Sequence, residues 1–300
     1  MTPTAVAPWT VPLHETQYSL IYYFLVVAGL ALLAHLLRTL TSREEIGPRF
    51  RPAVIASLVL TAVAFLSYVS LVLAFELGYD RTADGYTPNE GAFSSFAPRY
   101  MDWTVTVPLL CVELLAVTAL AGAAVRRARA IAMASAVLMI SLGYLGGVVV
   151  GGGESVPALL VSGGISTVFF VVICVVLVRA VRASLPVLSR EAGRALVLAI
   201  GLLLGSWLVY PLAYLVQVIG SGGAVPTTMH IAFCVADVVA KVAFGEAIHK
   251  VAKVRTADDV NHGEDVHPES TWISSVKRAP ASLPPVAGAE TTAEEHLPAS

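Results

Sequence analysis

The chain has 300 residues, of which 56% are hydrophobic and 13% charged, and its mean hydropathy is +0.76. A soluble domain carries roughly 25% charged residues, so this composition excludes a water-soluble globular protein and places the chain in a membrane. The net charge of −2 says nothing about partners by itself; its distribution does, and neither a nucleic-acid partner nor a metal site is expected.

Residues 1–16 read as a short segment outside the membrane, because Met1 to Pro12 is rich in Thr and Pro and lacks the basic flank and apolar core of a secretory signal. Seven apolar segments long enough to span follow, at about 17–39, 53–76, 98–124, 130–150, 156–181, 192–219 and 227–250. The expected fold is therefore an all-α membrane protein, a bundle of seven transmembrane helices over 17–252. Arg38, Arg43, Arg49 and Arg51 follow the first span, and Arg126, Arg127 and Arg129 the third. Arg179, Arg182, Arg190 and Arg194 lie between the fifth and sixth, and Lys250, Lys253 and Arg255 follow the last. The opposite loops offer only Arg81, so the positive-inside rule puts the N-terminus outside and the C-terminus in the cytoplasm.

Between the second and third spans, Glu76 to Gly91 reads as an extracellular hairpin whose acids Asp80, Asp84 and Glu90 are solvated. The third span contains Asp102, Thr106 and Glu113: the first two share a helix face, and Glu113 lies about three turns, roughly 16 Å, farther along nearly the same face. Two carboxylates at different depths on one internal line suit a proton relay. Pro108 removes a backbone hydrogen bond in that span and is expected to bend it, with Thr104 helping to satisfy the freed carbonyl. Cys111, Cys174 and Cys234 all fall inside spans and read as small buried apolar residues, not as a disulfide framework. His35, His249 and Glu246 sit near cytoplasmic helix ends, where contact with headgroups is the simpler reading. Residues 253–300, rich in Pro, Ala, Glu, Ser and Thr, read as a disordered cytoplasmic tail.

The seventh span carries the decisive pair. Lys241 stands mid-span with Asp237 four residues earlier, on the same helix face. An ionisable residue at that depth costs at least a few kcal/mol, so it faces the protein interior, has a partner and does chemistry. For a lysine, that chemistry includes condensation with an aldehyde to a Schiff base.

Three motifs now stand in order: Arg99-Tyr-x-Asp102-Trp103-x-x-Thr106-x-Pro108-Leu-Leu110, Trp207-x-x-Tyr210-Pro211 and Asp237-x-x-x-Lys241. Together they make the chain similar to the microbial rhodopsins, seven-helix retinal proteins, and specifically to the bacterial outward proton pumps of the proteorhodopsin and xanthorhodopsin group. The resemblance covers roughly 15–252. It implies that Lys241 binds all-trans retinal as a protonated Schiff base, with Asp102 as counterion and proton acceptor and Asp237 as second counterion. Thr106 is implied to hydrogen-bond to Asp102, Arg99 to lie on the extracellular side, and Glu113 to act as cytoplasmic proton donor. Trp103, Trp207, Tyr210, Pro211, Met139, Gly143, Ser166, Thr167 and Tyr214 match pocket positions, and Tyr68, also counted with the retinal site, matches a tyrosine that reaches the counterion region. Leu110 and Ala240 match positions that tune colour, and their apolar character implies green absorption. The implied protein is a light-driven ion transporter, not an enzyme. It would span the bacterial cytoplasmic (inner) membrane and form a homo-oligomer, a trimer or pentamer. A sensory photoreceptor or a light-gated channel would use the same pocket; Glu113 favours the pump.

The chain also departs from that group. Ser67 stands where a histidine commonly accompanies the counterion, so other neighbours must set the proton affinity of Asp102. Met229 and His230 replace part of a paired-glutamate release group; His230 is either its substitute or a solvated loop-edge histidine. Gly163 occupies a position where many members have a bulky aromatic residue. It therefore marks either a window for a carotenoid antenna or close helix packing.

Overall fold

In the computed structural model, which describes residues 4–263, the chain forms seven helical rods. The first, second and third are α1 (Glu15–Ser42), α2 (Arg51–Leu77) and α3 (Pro98–Ala116). The fourth is α4 (Gly122–Tyr144), extended by a π-helical turn at Leu145–Val149, and the fifth is α5 (Val156–Ser184). The sixth is broken once, into α6 (Arg190–Trp207) and α7 (Val209–Ile219). The seventh comprises α8 (Ala224–Val238), a π turn at Val239–Ala243, and α9 (Phe244–Asn261).

Local sequence explains where the rods start. His14 and Gln17 form a reciprocal capping box at the head of α1, and Ser155 and Ser189 accept backbone N–H groups from Ala158 and Ala192 at the heads of α5 and α6. Pro52 and Pro98 occupy first-turn positions, where a missing N–H costs nothing. Five rods are long and apolar enough to cross a membrane on those criteria alone. The other two, the third and the seventh, carry Arg99, Asp102, Glu113, Asp237 and Lys241.

Several expected boundaries move. The third rod ends at Ala116, not 124, and the fourth begins at Gly122, not 130, so Arg126, Arg127 and Arg129 lie on a helix. The turn between these rods is held by the Arg255 guanidinium, which donates to the carbonyls of Val117 and Thr118 at 2.9 Å each. Arg255 belongs to the continuation of the last helix to Asn261, well past residue 252, where the tail was expected to begin. That continuation is buried rather than loose: Val251, Ala252, Val254, Thr256 and Ala257 all pack inward. The rest of the expected tail lies outside the described residues.

Pro108 leaves α3 a continuous helix, and the Thr104 hydroxyl donates to the Tyr100 carbonyl, 2.7 Å away. Thr104 therefore serves the carbonyl one turn earlier, because a threonine Oγ reaches back along its own helix. The carbonyl that Pro108 frees is that of Thr104, four residues earlier.

At the extracellular end, β1 (Tyr79–Thr82) and β2 (Gly85–Pro88) form the expected hairpin, with Asp80, Asp84 and Glu90 exposed. The N-terminal segment is not free: Leu13 exchanges backbone hydrogen bonds with Tyr86, and the buried Trp9 ring packs on Phe93 and Phe96. Gly85 makes this bridge to the hairpin possible, since its φ of 136° is one that other residues rarely adopt and a Cβ there would strike the Leu13 carbonyl. Gly85→Val should destabilise the protein by about 1–3 kcal/mol or more, read as a lowered unfolding temperature in detergent; an unchanged temperature would show that the N-terminal strand adds nothing.

Candidate functional site

The site forms where α3 and the seventh rod face each other at mid-depth. Lys241 is 1% exposed, and its Nζ lies 2.6 Å from Asp102 Oδ2 and 3.6 Å from Asp237 Oδ1. Its backbone sits in the middle of the π turn, a wider coil that occurs mostly at functional positions. Asp237 is the most heavily coordinated group in the cluster. Tyr68 donates to its Oδ2 at 2.9 Å, while Tyr210 and Trp103 donate to its Oδ1 at 2.5 and 3.3 Å. Arg99, also buried, approaches its Oδ2 at 4.0 Å and donates to the Tyr68 hydroxyl at 3.2 Å. Two cations and two carboxylates thus share one dry region, the arrangement that lets charge persist away from water.

The expected hydrogen bond between Thr106 and Asp102 does not form. Asp102 Oδ1 and Thr106 Oγ1 are both buried without a partner, because Asp102 turns its other oxygen to the Lys241 ammonium, the stronger, charge-assisted donor. Ser67 Oγ also lacks a partner, so no polar side chain replaces a histidine there.

His230 is not the solvated loop-edge residue expected. α8 begins six residues before it, and His230 shares a face with Cys234 and Asp237 at helical spacing. It is buried between the Phe75 and Phe96 rings, with Nδ1 3.3 Å from an Arg99 nitrogen that also donates to Cys234 Sγ. The extracellular side of the cluster is thus Arg99, His230 and Cys234. On the cytoplasmic side of Asp102 along α3, Glu113 is completely buried and neither carboxylate oxygen has a hydrogen-bond partner.

Beside the ion cluster opens an apolar cavity of ≈ 330 Å³ between α3, α4, α5 and the sixth rod. Trp103, Met139, Gly143, Ser166, Thr167, Trp207, Tyr210, Pro211 and Tyr214 line it as expected. Trp103 and Tyr210 belong to this wall and also hold Asp237, so the cavity ends against the cluster. Tyr68 and Leu110 do not line it: Tyr68 serves Asp237 and Leu110 is core. Sequence reasoning missed Tyr100 and Phe170. Tyr100 is one turn before Trp103 and hydrogen-bonds to Tyr214; Phe170 is one turn after Ser166 and packs on the Trp207 ring. Helical spacing from the residues already chosen was the available signal.

Gly163 is not tightly packed. A Cβ placed there, or at Gly164, would meet nothing within 4 Å, and both glycines line the cavity on the outer face of α5.

The bacteriorhodopsin-like protein family matches residues 17–254, nearly the entire bundle. Bacteriorhodopsin-I of Haloarcula marismortui is 33% identical over 196 residues, 64% of this chain and 73% of that protein. Sensory rhodopsin I of the same organism is 33% identical over 218 residues, 72% of this chain and 81% of that protein. Among solved structures, a thermophilic rhodopsin superposes with a TM-score of 0.75 at 26% identity, covering 86% of this chain and 99% of the other. Xanthorhodopsin, described as a light-driven ion pump with dual chromophore, gives 0.74 at 27% identity over 83% of this chain and 99% of its own. The chain belongs to the bacteriorhodopsin-like family of microbial rhodopsins, membrane proteins that transport ions or sense with light, and the family implies a retinal chromophore.

The residues present fit that chromophore. An apolar cavity within the roughly 300–1,000 Å³ range of small-molecule sites shares Trp103 and Tyr210 with the cluster in which two carboxylates flank the buried Lys241 amine, although Lys241 itself does not line it. The unpartnered Asp102 Oδ1 and Thr106 Oγ1 lie on the α3 side of that amine.

The uneven coordination yields a stability contrast in the chain without added retinal. Asp237→Ala should cost about 3–5 kcal/mol, because it takes the carboxylate from the buried Arg99 and strands three donors, whereas Thr106→Val should be close to neutral because it loses no hydrogen bond. Unfolding temperatures in detergent test this; equal losses would mean that Asp237 has no special structural weight.

Proposed function

We propose that this protein is a light-driven outward proton pump of a bacterial cytoplasmic membrane. The observation that carries the reading is the pairing of Lys241 with Asp102 at 2.6 Å while a second carboxylic acid, Glu113, lies fully buried on the cytoplasmic side of the same helix. Retinal bound to Lys241 as a protonated Schiff base supplies light absorption and a photoisomerisation that changes the setting of that nitrogen. The chain's residues do the rest. Asp102 takes a proton from Lys241 Nζ at its Oδ2. Asp237 is held in place by three hydrogen bonds, from Tyr68, Trp103 and Tyr210.

Arg99 stands beyond Asp237 toward the extracellular side, with the His230 imidazole as the adjoining group. Glu113 then returns a proton toward Nζ from the cytoplasmic side. The aromatic wall of Trp103, Trp207, Tyr210 and Tyr214 excludes water from the path between, which keeps the two half-steps from short-circuiting. The likeness to a sensory rhodopsin reflects the same pocket; a buried acid at position 113 favours transport.

Cells expressing the chain with all-trans retinal should acidify an unbuffered medium in light, and a protonophore should abolish the change. Lys241→Ala should give no pigment, Asp102→Asn should shift the colour and stop transport, and Glu113→Gln should keep the colour while slowing proton return on the order of 100-fold. A Lys241-dependent pigment without any pH change would favour sensing, and a passive current that reverses with the ion gradient would favour a channel.

The open glycine face of α5 supports a carotenoid antenna as a second chromophore. With a hydroxylated carotenoid added, excitation at carotenoid wavelengths should reach retinal in the native chain and not in Gly163→Trp. Absence of transfer in both would sink the antenna.

A further inference from the structure

The cytoplasmic half of the bundle holds a polar chain, leading outward from Glu113, that the steps above leave unused. Ser57, on α2, approaches this carboxyl without making a hydrogen bond to it. The Ser57 hydroxyl lies 3.4 Å from Nε2 of His35, a histidine from α1 whose side chain is 1% exposed. On its other side, His35 Nδ1 is 3.0 Å from Glu246 Oε1. The Glu246 carboxylate is 40% exposed, is held at 2.8 Å by Arg38, and opens onto a cytoplasmic cleft of ≈ 310 Å³ shared with Glu191, His249 and Lys250. The expectation that His35 and Glu246 merely meet headgroups is therefore corrected: one is buried and the other is bound to it. His249 is likewise buried, against Glu45.

Two details indicate a built arrangement. Gly245 lies directly under the imidazole, and a Cβ there would come within 2.5 Å of Nε2 and 3.5 Å of Ser57 Oγ, so the ring and the hydroxyl meet over a residue with no side chain. Glu113 keeps both oxygens unpaired, so it can take a hydrogen bond from Ser57 without breaking another. The other groups facing His35 are Thr39 Oγ1, 3.5 Å from Nε2, and Arg38, which shares Glu246.

We infer that Glu246, His35 and Ser57 form the proton-uptake path that reloads Glu113 from the cytoplasm. The inference rests on the pump reading above. Glu246 takes a proton from water in the cleft and passes it to His35 Nδ1; the imidazole releases its Nε2 proton to Ser57, whose own hydroxyl proton goes to the Glu113 carboxylate. Each hop breaks one O–H or N–H bond and forms one, leaving the imidazole proton on Nδ1. Imidazole suits this place because it is the side chain that takes up a proton on one atom while losing one from another near neutral pH.

The test is time-resolved infrared spectroscopy on the full chain with retinal in lipid nanodiscs, following the carboxyl band of Glu113, located by its absence in Glu113→Gln. In the native chain the band should bleach after a flash and then recover. In His35→Phe and in Glu246→Gln the bleach should keep its native rate while the recovery slows at least about tenfold. Sodium azide, a small diffusible proton carrier, should restore it. Glu246→Gln sits at the surface and guards against misfolding of the buried variant, and Gly245→Ala should slow recovery by displacing the ring. Native recovery in both His35→Phe and Glu246→Gln would overturn the path while leaving the pump intact. Slow recovery that azide does not relieve would mean a structural role, which also overturns it. A native chain whose Glu113 band ignores light would overturn the pump reading itself.

Discussion

A lysine ammonium in the middle of an apolar bundle needs anions within a few ångströms, and the rest of this structure is arranged around that need. Lys241 is met by Asp102 from α3 and Asp237 from its own rod. Those two carboxylates then need positive partners of their own, and Arg99 supplies the second cation. In water such pairs contribute little; in a low-dielectric interior, removing one member leaves a stranded charge, so the four residues behave as one unit.

The two aspartates are treated differently, and the difference is chemical. Asp237 accepts hydrogen bonds from three donors, Tyr68, Trp103 and Tyr210. Asp102 has one oxygen on Lys241 and the other without any hydrogen bond. A carboxylate with few donors is the better place to put a proton, because fewer interactions with its charged form are lost. The same logic extends to Glu113, which has no hydrogen bond at all, and to the polar chain beyond it. Along α3 the buried cation Arg99 is thus followed by two carboxyl groups with unpaired oxygens, Asp102 and Glu113.

The aromatic residues serve two ends at once. Trp103 and Tyr210 form the end wall of the apolar cavity and donate to Asp237, so what fills the cavity and what charges the cluster are mechanically linked. Edge-to-face packing of Trp103 on Tyr210 and on Phe233 fixes the ring planes that make both roles possible.

Much of the site was legible in the sequence because membrane helices make charge conspicuous: Asp102, Glu113, Asp237 and Lys241 stand out in apolar runs, and a helical period assigns each to a face. Hydropathy and arginine placement likewise determined seven spans and their direction. The tertiary structure alone decided which of these charges meet. Thr106 shares a face with Asp102 yet does not bond to it, because an ammonium from another rod outcompetes a hydroxyl. His35 and Glu246, 211 positions apart, looked like unrelated interfacial residues, and His230 looked like a loop residue, until packing buried them. One-dimensional spacing reports contacts along a helix; contacts between helices depend on which faces the bundle turns inward, and that is set by all seven rods together.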